Sequence, residues 1–261
     1  MAVITLLTDF GSLYPAAMKG VILKINDSVD IVDITHSIPQ ADIYTGAFSL
    51  YSIVEYFPEG TVHIGVVDPG VGTERRPVAI RAGGHYFVGP DNGLMIPAAR
   101  KIENNNFEVF DITNKSLTGS KISATFHGRD IFAPVGAHIS NGLNIENVGH
   151  RIDDYIDLDF GKAKLQNDTV EGRIIYIDDF GNIITNIPAE TIFKLAEFGT
   201  YLKIFNKTIP LLQSYGFVNE KELIALISSS GFFEVSVNKG NAANKLNVDV
   251  NDKINVQLLK N

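Results

Sequence analysis

The chain has 261 residues, 45% apolar and 20% charged, enough to bury a sizeable core as one large domain or as a large and a small one. Its net charge of −8 argues against nucleic acid and against anionic membranes as partners, since both call for a basic surface. It has no cysteine, hence no disulfide frame, zinc-thiolate site or thiol nucleophile.

The start, Met1-Ala2-Val3-Ile4-Thr5, lacks the basic-then-apolar pattern of a signal peptide. No apolar run approaches the roughly 18 residues of a membrane span, so the expected location is the cytoplasm. Residues 3–7 form a short apolar run ending at Thr8-Asp9 and read as a buried strand. Pro15 suits a helix start, and Met18, Val21, Ile22 and Ile25 share one face behind it. Residues 30–34 read as a second strand, 43–57 as a helix with Ala47, Leu50, Val54 and Phe57 inward, and 61–67 as a third strand. Further strands are expected at 78–81, 85–88 and 107–110. A short helix is expected at 93–99, limited by Pro97, and another within 128–139, its start pushed later by Pro134. Strands alternating with helices of this length predict crossover units and a mostly parallel sheet.

From about Gly149 the texture changes. Residues 151–167 are charged and irregular and read as a linker. Short strand-like runs follow at 170–177, 201–205, 223–227, 232–237 and 254–259, with one helix at 191–198. The expected fold class is therefore α/β: an N-terminal, mostly parallel sheet flanked by helices over residues 1–160, then a small C-terminal β-barrel over 168–261. There is no internal repeat and no low-complexity tract.

Asp9 and Asp68 fall at the carboxyl ends of expected parallel strands, where open α/β sheets bind ligands. A strand-end aspartate can merely cap a turn, but two in one sheet, each followed by a glycine turn, point to a shared site. The turn Asp68-Pro69-Gly70-Val71-Gly72-Thr73-Glu74-Arg75-Arg76 nearly repeats a dinucleotide fingerprint, yet the third glycine position is Arg75. One of Arg75 and Arg76 is expected to be a solvated charge and the other to sit beside a buried aspartate. His127, between Phe126 and Gly128, precedes an expected helix, where a neutral imidazole can meet a ligand and take a proton near pH 7. His36, His63, His85 and His127 show no paired spacing of a metal site. In the second half, residues 177–186 read as a hairpin turn rich in polar groups, and Ser228-Ser229-Ser230-Gly231-Phe232-Phe233-Glu234 as a hydroxyl-rich bend. Phe180 or Phe232 can stack on a purine or belong to the core.

The strings Leu7-Thr8-Asp9-Phe10-Gly11, Asp33-Ile34-Thr35-His36, Val67-Asp68-Pro69-Gly70-Val71-Gly72-Thr73, Gly89-Pro90-Asp91-Asn92-Gly93, Phe126-His127-Gly128-Arg129-Asp130, Phe180-Gly181-Asn182 with Thr185-Asn186, and Ser230-Gly231 occur in this order. Together they resemble the S-adenosylmethionine hydroxide adenosyltransferases, also called adenosine-forming S-adenosylmethionine hydrolases, relatives of fluorinating and chlorinating enzymes. The resemblance runs nearly end to end. It implies an α/β domain followed by a β-barrel, and a homotrimer whose sites lie between the first domain of one subunit and the second domain of the next. It places Asp68, Arg75 and His127 on a water-handling catalytic triad and Asp9 on a ribose-binding carboxylate. It places Phe126, Gly128, Asp178, Phe180, Asn182, Ser229, Ser230 and Glu234 around the adenosine and methionine moieties, with Asp178 preferred over Asp179. The implied reaction is in-line attack of water on the 5′ carbon of S-adenosyl-L-methionine, giving adenosine and L-methionine without metal or added cofactor. Halogenating relatives carry other residues at the triad positions. A halogenase, a non-catalytic adenosine or S-adenosylmethionine sensor and a metal-dependent hydrolase are the competing expectations.

Overall fold

The computed structural model describes residues 2–259; Met1, Lys260 and Asn261, at the outer ends of the two expected domains, lie outside the described residues. The chain divides into two units, Met1–Asp159 and Phe160–Asn261.

The first unit is built from β1 (Ala2–Thr8), α1 (Tyr14–Ile25), β2 (Val29–Thr35), α2 (Ile43–Ile53), β3 (Val62–Val66), β4 (Pro77–Ala82), β5 (His85–Pro90), α3 (Ile96–Glu103), β6 (Glu108–Asp111), α4 (Ala133–Ser140) and β7 (Arg151–Ile152). The strands form one sheet in the order β2-β1-β3-β5-β4-β6-β7. The neighbours β2, β1, β3 and β5 are parallel, and antiparallel pairing begins at β4. The chain leaves β1 for β2 on one side and returns to β3 on the other. Two right-handed crossovers in opposite directions put α1 and α2 on opposite faces of the sheet. Side-chain alternation supplies both faces with apolar groups. Ile4 and Leu6 pack with Met18 and Ile22 of α1 and Val135 of α4. Leu7 turns the other way, toward Leu50 of α2 and Ala98 of α3. Each such fully buried aliphatic side chain stabilises the fold by roughly 1.5–3 kcal/mol. Where the crossovers diverge, the carboxyl ends of β1 and β3 lie side by side and leave a crevice.

The second unit comprises β8 (Lys164–Gln166), β9 (Thr169–Ile177), β10 (Ile183–Pro188), α5 (Ala189–Leu195), β11 (Tyr201–Ile204), β12 (Lys207–Pro210), β13 (Leu223–Ile227), β14 (Phe232–Val237), α6 (Ala242–Leu246) and β15 (Lys253–Leu258). Its antiparallel path runs β12-β11-β15-β9-β10-β14-β13, with β8 on β9. A bridge between Leu211 and Ala225 joins the two ends and nearly closes a barrel. Ile174, Ile183, Ile204, Phe233, Val235 and Val256 fill it.

The architecture is thus the expected α/β sheet followed by a barrel-like antiparallel sheet, with local differences. Pro97 lies in the first turn of α3, so that helix begins at Ile96 and reaches Glu103 rather than spanning 93–99. Residues 128–139 divide at Pro134 into a π-helical turn, Gly128–Phe132, and α4. The helix expected over 43–57 tightens into a 3-10 turn at Val54–Tyr56. The stretch 151–167 contributes strands to both units, β7 against β6 and β8 against β9. Strand β10 escapes a hydropathy reading because Thr185 and Asn186 interrupt it. Both are buried and satisfied, Thr185 Oγ1 donating to Phe233 O (2.8 Å) and Asn186 Nδ2 to Phe160 O (2.9 Å). Helix α6 is too short for a periodic signal and rests on its cap, Asn241, whose side chain accepts from Asn244 N at 2.7 Å.

One polar chain crosses the dry sheet of the first unit. Thr5 Oγ1 meets His63 Nδ1 at 2.8 Å, and His63 Nε2 meets His85 Nδ1 at 3.1 Å. His63 is 0% exposed and stacks on Phe87 with centroids 5.0 Å apart. Burial, then the neighbouring His85, pushes the His63 pKa down to about 3. The unfolded chain therefore binds a proton near pH 6.5 that the folded chain refuses. The stability His63 contributes is complete above that pH and drains away as pH falls toward about 3, reaching on the order of 5 kcal/mol. Urea unfolding at pH 7 and pH 4.5 will show a larger drop in midpoint for the parent than for His63→Gln; equal drops would assign the acid sensitivity elsewhere.

Candidate active site

The crevice between β1 and β3 is where Asp9 and Asp68 emerge. The loop after Asp68 folds as two successive tight turns, with Val71 N donating to Asp68 O (3.2 Å) and Thr73 N to Gly70 O (3.2 Å). The Thr73 hydroxyl donates to Gly70 O (2.7 Å) and accepts from Arg75 N (3.3 Å). These turns bring Arg75 back over Asp68. Gly72, at the tip, has φ +77°, and a Cβ there would lie 2.2 Å from Ala124 O. Only glycine lets the tip press against the strand of chain that leads into Phe126 and His127.

Arg75 then joins the other two candidate residues. Its Nε donates to Asp68 Oδ1 at 3.1 Å and its Nη2 to Asp68 Oδ2, a two-pronged contact. Nη2 also reaches His127 Nδ1 at 3.0 Å. The guanidinium lies over the Phe132 ring, 5.3 Å from its centroid. The side chains are nearly dry, Asp68 at 4% and Arg75 at 8% exposure. An arginine has donors only, so Nδ1 of His127 is the acceptor and the neutral ring carries its proton on Nε2. Burial, then the Arg75 charge, lowers the His127 pKa; the carboxylates of Asp68 and Asp130 act against this. The imidazole is thus the neutral form near pH 7.

Neither arginine is a solvated charge, contrary to the expectation for one of them. Arg76 is 31% exposed at its side chain and fully engaged, donating through Nε (3.2 Å) and Nη2 (2.8 Å) to Asp91 and through Nη1 (2.9 Å) to Asp154. The sequence signal for Asp91 is the acid-amide pair Asp91-Asn92, set off by Gly89-Pro90 from the strand expected at 85–88 and directly after β5 as it stands.

Asp9 Oδ2 accepts from Ala41 N at 2.9 Å. Phe126 stands edge-on to Phe10 (5.8 Å) and Tyr14 (5.5 Å). A Cβ on Gly128 would come within 3.0 Å of the Phe10 ring, so glycine there lets the segment carrying Asp9 dock beside the one carrying His127. The π-helical turn that follows His127 is a local irregularity of the kind enriched at functional sites.

The remaining candidates lie in the second unit. Asp178, Phe180 and Asn182 share the turn between β9 and β10. Asp178 Oδ1 accepts from Phe180 N (3.0 Å) and Asn182 N (2.8 Å), and its Oδ2 from Asn182 Nδ2 (2.9 Å). Its carboxylate organises the turn, which presents Phe180 at 76% exposure while Asp179 points outward. Ser229 and Ser230 lie in the hairpin between β13 and β14, where Ser228 Oγ and Ser230 Oγ are 2.9 Å apart. Glu234 is buried on β14 and accepts from Tyr215 Oη (2.8 Å) and Ser236 Oγ (2.6 Å). Burial, against those two bonds, raises its pKa, and the Asp178 charge adds to the rise. Tyr215 was invisible in the sequence, because nothing near it marks a partner for a strand glutamate. Among the described residues no group of three or more His, Asp or Glu side chains is placed to hold a metal ion. No helix among them is long and apolar enough to cross a membrane.

Comparison with known proteins follows the same two units. Residues 4–149 match the S-adenosylmethionine (SAM) hydroxide adenosyltransferase N-terminal domain and residues 172–255 the corresponding C-terminal domain. The chain is 39% identical to an (R)-S-adenosyl-L-methionine hydrolase of Methanocaldococcus jannaschii, over 97% of this chain and 95% of that protein. It is 27% identical to a fluorinase of Nocardia brasiliensis, over 93% and 92%. A crystal structure of an uncharacterised conserved protein from Thermotoga maritima superposes with a TM-score of 0.91 at 37% identity, covering 97% of this chain and 99% of that one.

The geometry around His127 gives a direct expectation. Its imidazole will titrate below 6.5 in the folded protein, and Arg75→Gln will raise that midpoint, because the charges left facing it, Asp68 and Asp130, favour the cation. Proton NMR of the His127 ring measures both; an unmoved midpoint would separate Arg75 from the ring electrostatically.

Proposed function

The chain belongs to the SAM hydroxide adenosyltransferase family, and we propose that it hydrolyses S-adenosyl-L-methionine to adenosine and L-methionine by in-line attack of water on the 5′ carbon. One observation carries the reading: Asp68, Arg75 and His127 converge at the sheet's switch point in a chain 39% identical to a named hydrolase of this substrate. From that relative's name the preferred substrate is the R sulfonium epimer.

The positions of the three side chains divide the work. Arg75 occupies Nδ1 of His127, so the ring's remaining polar atom is the Nε2–H donor. His127 thus holds the water oxygen, which decides a proton acceptor the sequence leaves open: Asp68 takes the water proton through a lone pair that the guanidinium leaves free. Holding oxygen and carbon in line supplies up to about 7–11 kcal/mol of the barrier, and proton removal a further 10²–10⁴-fold, roughly. Departing methionine is a neutral thioether, so the sulfonium itself provides the leaving group. The low exposure of Asp68 and Arg75 keeps competing water away and strengthens attraction between the developing hydroxide and the sulfonium.

Asp9 is assigned to the ribose hydroxyls, and Phe126 and Gly128 to the wall beside it. Phe180, Asn182, Ser229, Ser230 and Glu234 are assigned to adenosine and methionine, contributed by the second domain of a neighbouring copy in a homotrimer. Phe180, 76% exposed at the turn tip, is free to stack on a ligand held by another copy. Asp178 serves by holding this turn in shape. No metal and no added cofactor enter the scheme.

Incubation with each sulfonium epimer in ¹⁸O-labelled water will give methionine and adenosine labelled at the 5′ hydroxyl, faster from the R form; unlabelled adenosine would refute attack by water. Asp68→Ala and His127→Ala will lower turnover by about 10²-fold or more. His127→Gln, which keeps a donor near Nε2, will retain more than His127→Ala, an order that a base role would not produce. Turnover will fall with pH through the lowered His127 pKa, below 6.5, as the ring gains a proton and loses its contact with Arg75. Fluoride or chloride forming a 5′-halo-5′-deoxyadenosine in preference to adenosine would move the assignment to a halogenase.

A further inference from the structure

We propose that Asp91 and Asn92 are positioning residues for the Asp68–Arg75–His127 site, clamping both ends of the loop that carries two of its three members. The proposal rests on the catalytic reading of those three residues given above.

Strand β5 lies parallel beside β3, so its exit, Pro90-Asp91-Asn92-Gly93, runs alongside the exit of β3. Asn92 Nδ2 donates to Val67 O at 2.8 Å, fixing the residue directly before Asp68. Asp91 N donates to Arg76 O at 2.9 Å, fixing the residue directly after Arg75. The Asp91 carboxylate, only 5% exposed as a residue, also takes the Arg76 guanidinium on Oδ2 and Ile156 N (2.8 Å) on Oδ1. Arg76 in turn reaches Asp154, with Nη2 at 2.7 Å from its carbonyl oxygen. Asp68 and Arg75 thus each sit one residue inside an anchor, and both anchors come from adjacent residues of one short segment: the Asn92 side chain at one end, the backbone N and carboxylate of Asp91 at the other. None of these groups is assigned to the substrate. Their leverage is positional: a shift of about 1 Å in a catalytic group can cost about 10²-fold in rate.

A clamp of this kind differs from general structural support in what it moves. Slackening either end lets Arg75 withdraw from His127 Nδ1 (3.0 Å), leaving the ring facing Asp68 and Asp130 with less opposing charge. The His127 midpoint will then rise. A variant that merely unfolds part of the population lowers the amount of active protein and leaves the midpoint of the folded fraction in place.

The test uses two substitutions that preserve net charge, Asn92→Ala and Arg76→Lys, in the full chain; Asp91→Ala is the obvious third, but it also strips Ile156 N of its acceptor and changes the net charge, which mixes clamp and fold stability. Each of the first two is expected to lower kcat about tenfold with KM within about twofold, and to raise the His127 titration midpoint seen by NMR. Parent-like kcat in both variants overturns the clamp, and so does a fall in kcat with an unmoved His127 midpoint. Asp68→Ala and His127→Ala run alongside. If those stay active, the catalytic reading fails, and the His127 midpoint still reports on the clamp. If they are inactive while Asn92→Ala and Arg76→Lys match the parent, the clamp alone fails.

Discussion

The site hangs on one buried ion pair. Asp68 and Arg75 are almost wholly removed from water, and a charge in that setting is tolerable only with a well-aligned partner. The fork of Arg75 meets both oxygens of Asp68, and the Phe132 ring faces the guanidinium. A lysine would give a point charge with no fork. Much of the surrounding geometry follows from the need to hold this pair: two tight turns return the chain within seven residues, and a glycine at the tip lets the loop press on the backbone before His127.

The same constraint explains why the loop resembles a dinucleotide fingerprint and is not one. Such a fingerprint uses glycine at its third position so that a helix can pack close to the strand and aim its N-terminus at a phosphate. Here no helix follows. The chain continues from Arg76 straight into β4, and Arg75 occupies the place where the helix would have begun. The crevice keeps the location that open α/β sheets give to ligands, while its electrostatics change from bare amides awaiting an anion to a neutralised pair beside an uncharged imidazole.

Much of this was legible in the sequence, and the exceptions have physical causes. Strands β1, β3 and β5 announce themselves through apolar runs because both of their faces are buried. Asp9, Asp68 and His127 are visible because strand ends and glycine turns are written locally. What sequence could not show are contacts between residues far apart in the chain whose types are ordinary. Tyr215 and Glu234, or Asn92 and the carbonyl of Val67, carry no spacing rule that would pair them. Thr185 and Asn186 hid a strand because a polar residue looks exposed until its partner is known. One of Arg75 and Arg76 reads as a spare charge in the sequence because nothing local gives both a partner; the position of Asp91 supplies the second one.

Charge balance in the crevice adds a reason for the neutrality of His127 beyond proton transfer. Asp68 and Arg75 cancel, so with an uncharged imidazole the three groups present no net charge to an incoming sulfonium. Protonating His127 would leave the three groups with one net positive charge facing a positive substrate, in a place where low exposure weakens screening. Binding and nucleophile would both suffer from the same proton. By desolvating the ring and placing Arg75 against Nδ1, the fold suppresses that proton twice over. On the proposed reaction, the arginine that orients the aspartate is also the group that keeps the site acceptable to a cation, tying substrate affinity and reactivity to a single side chain.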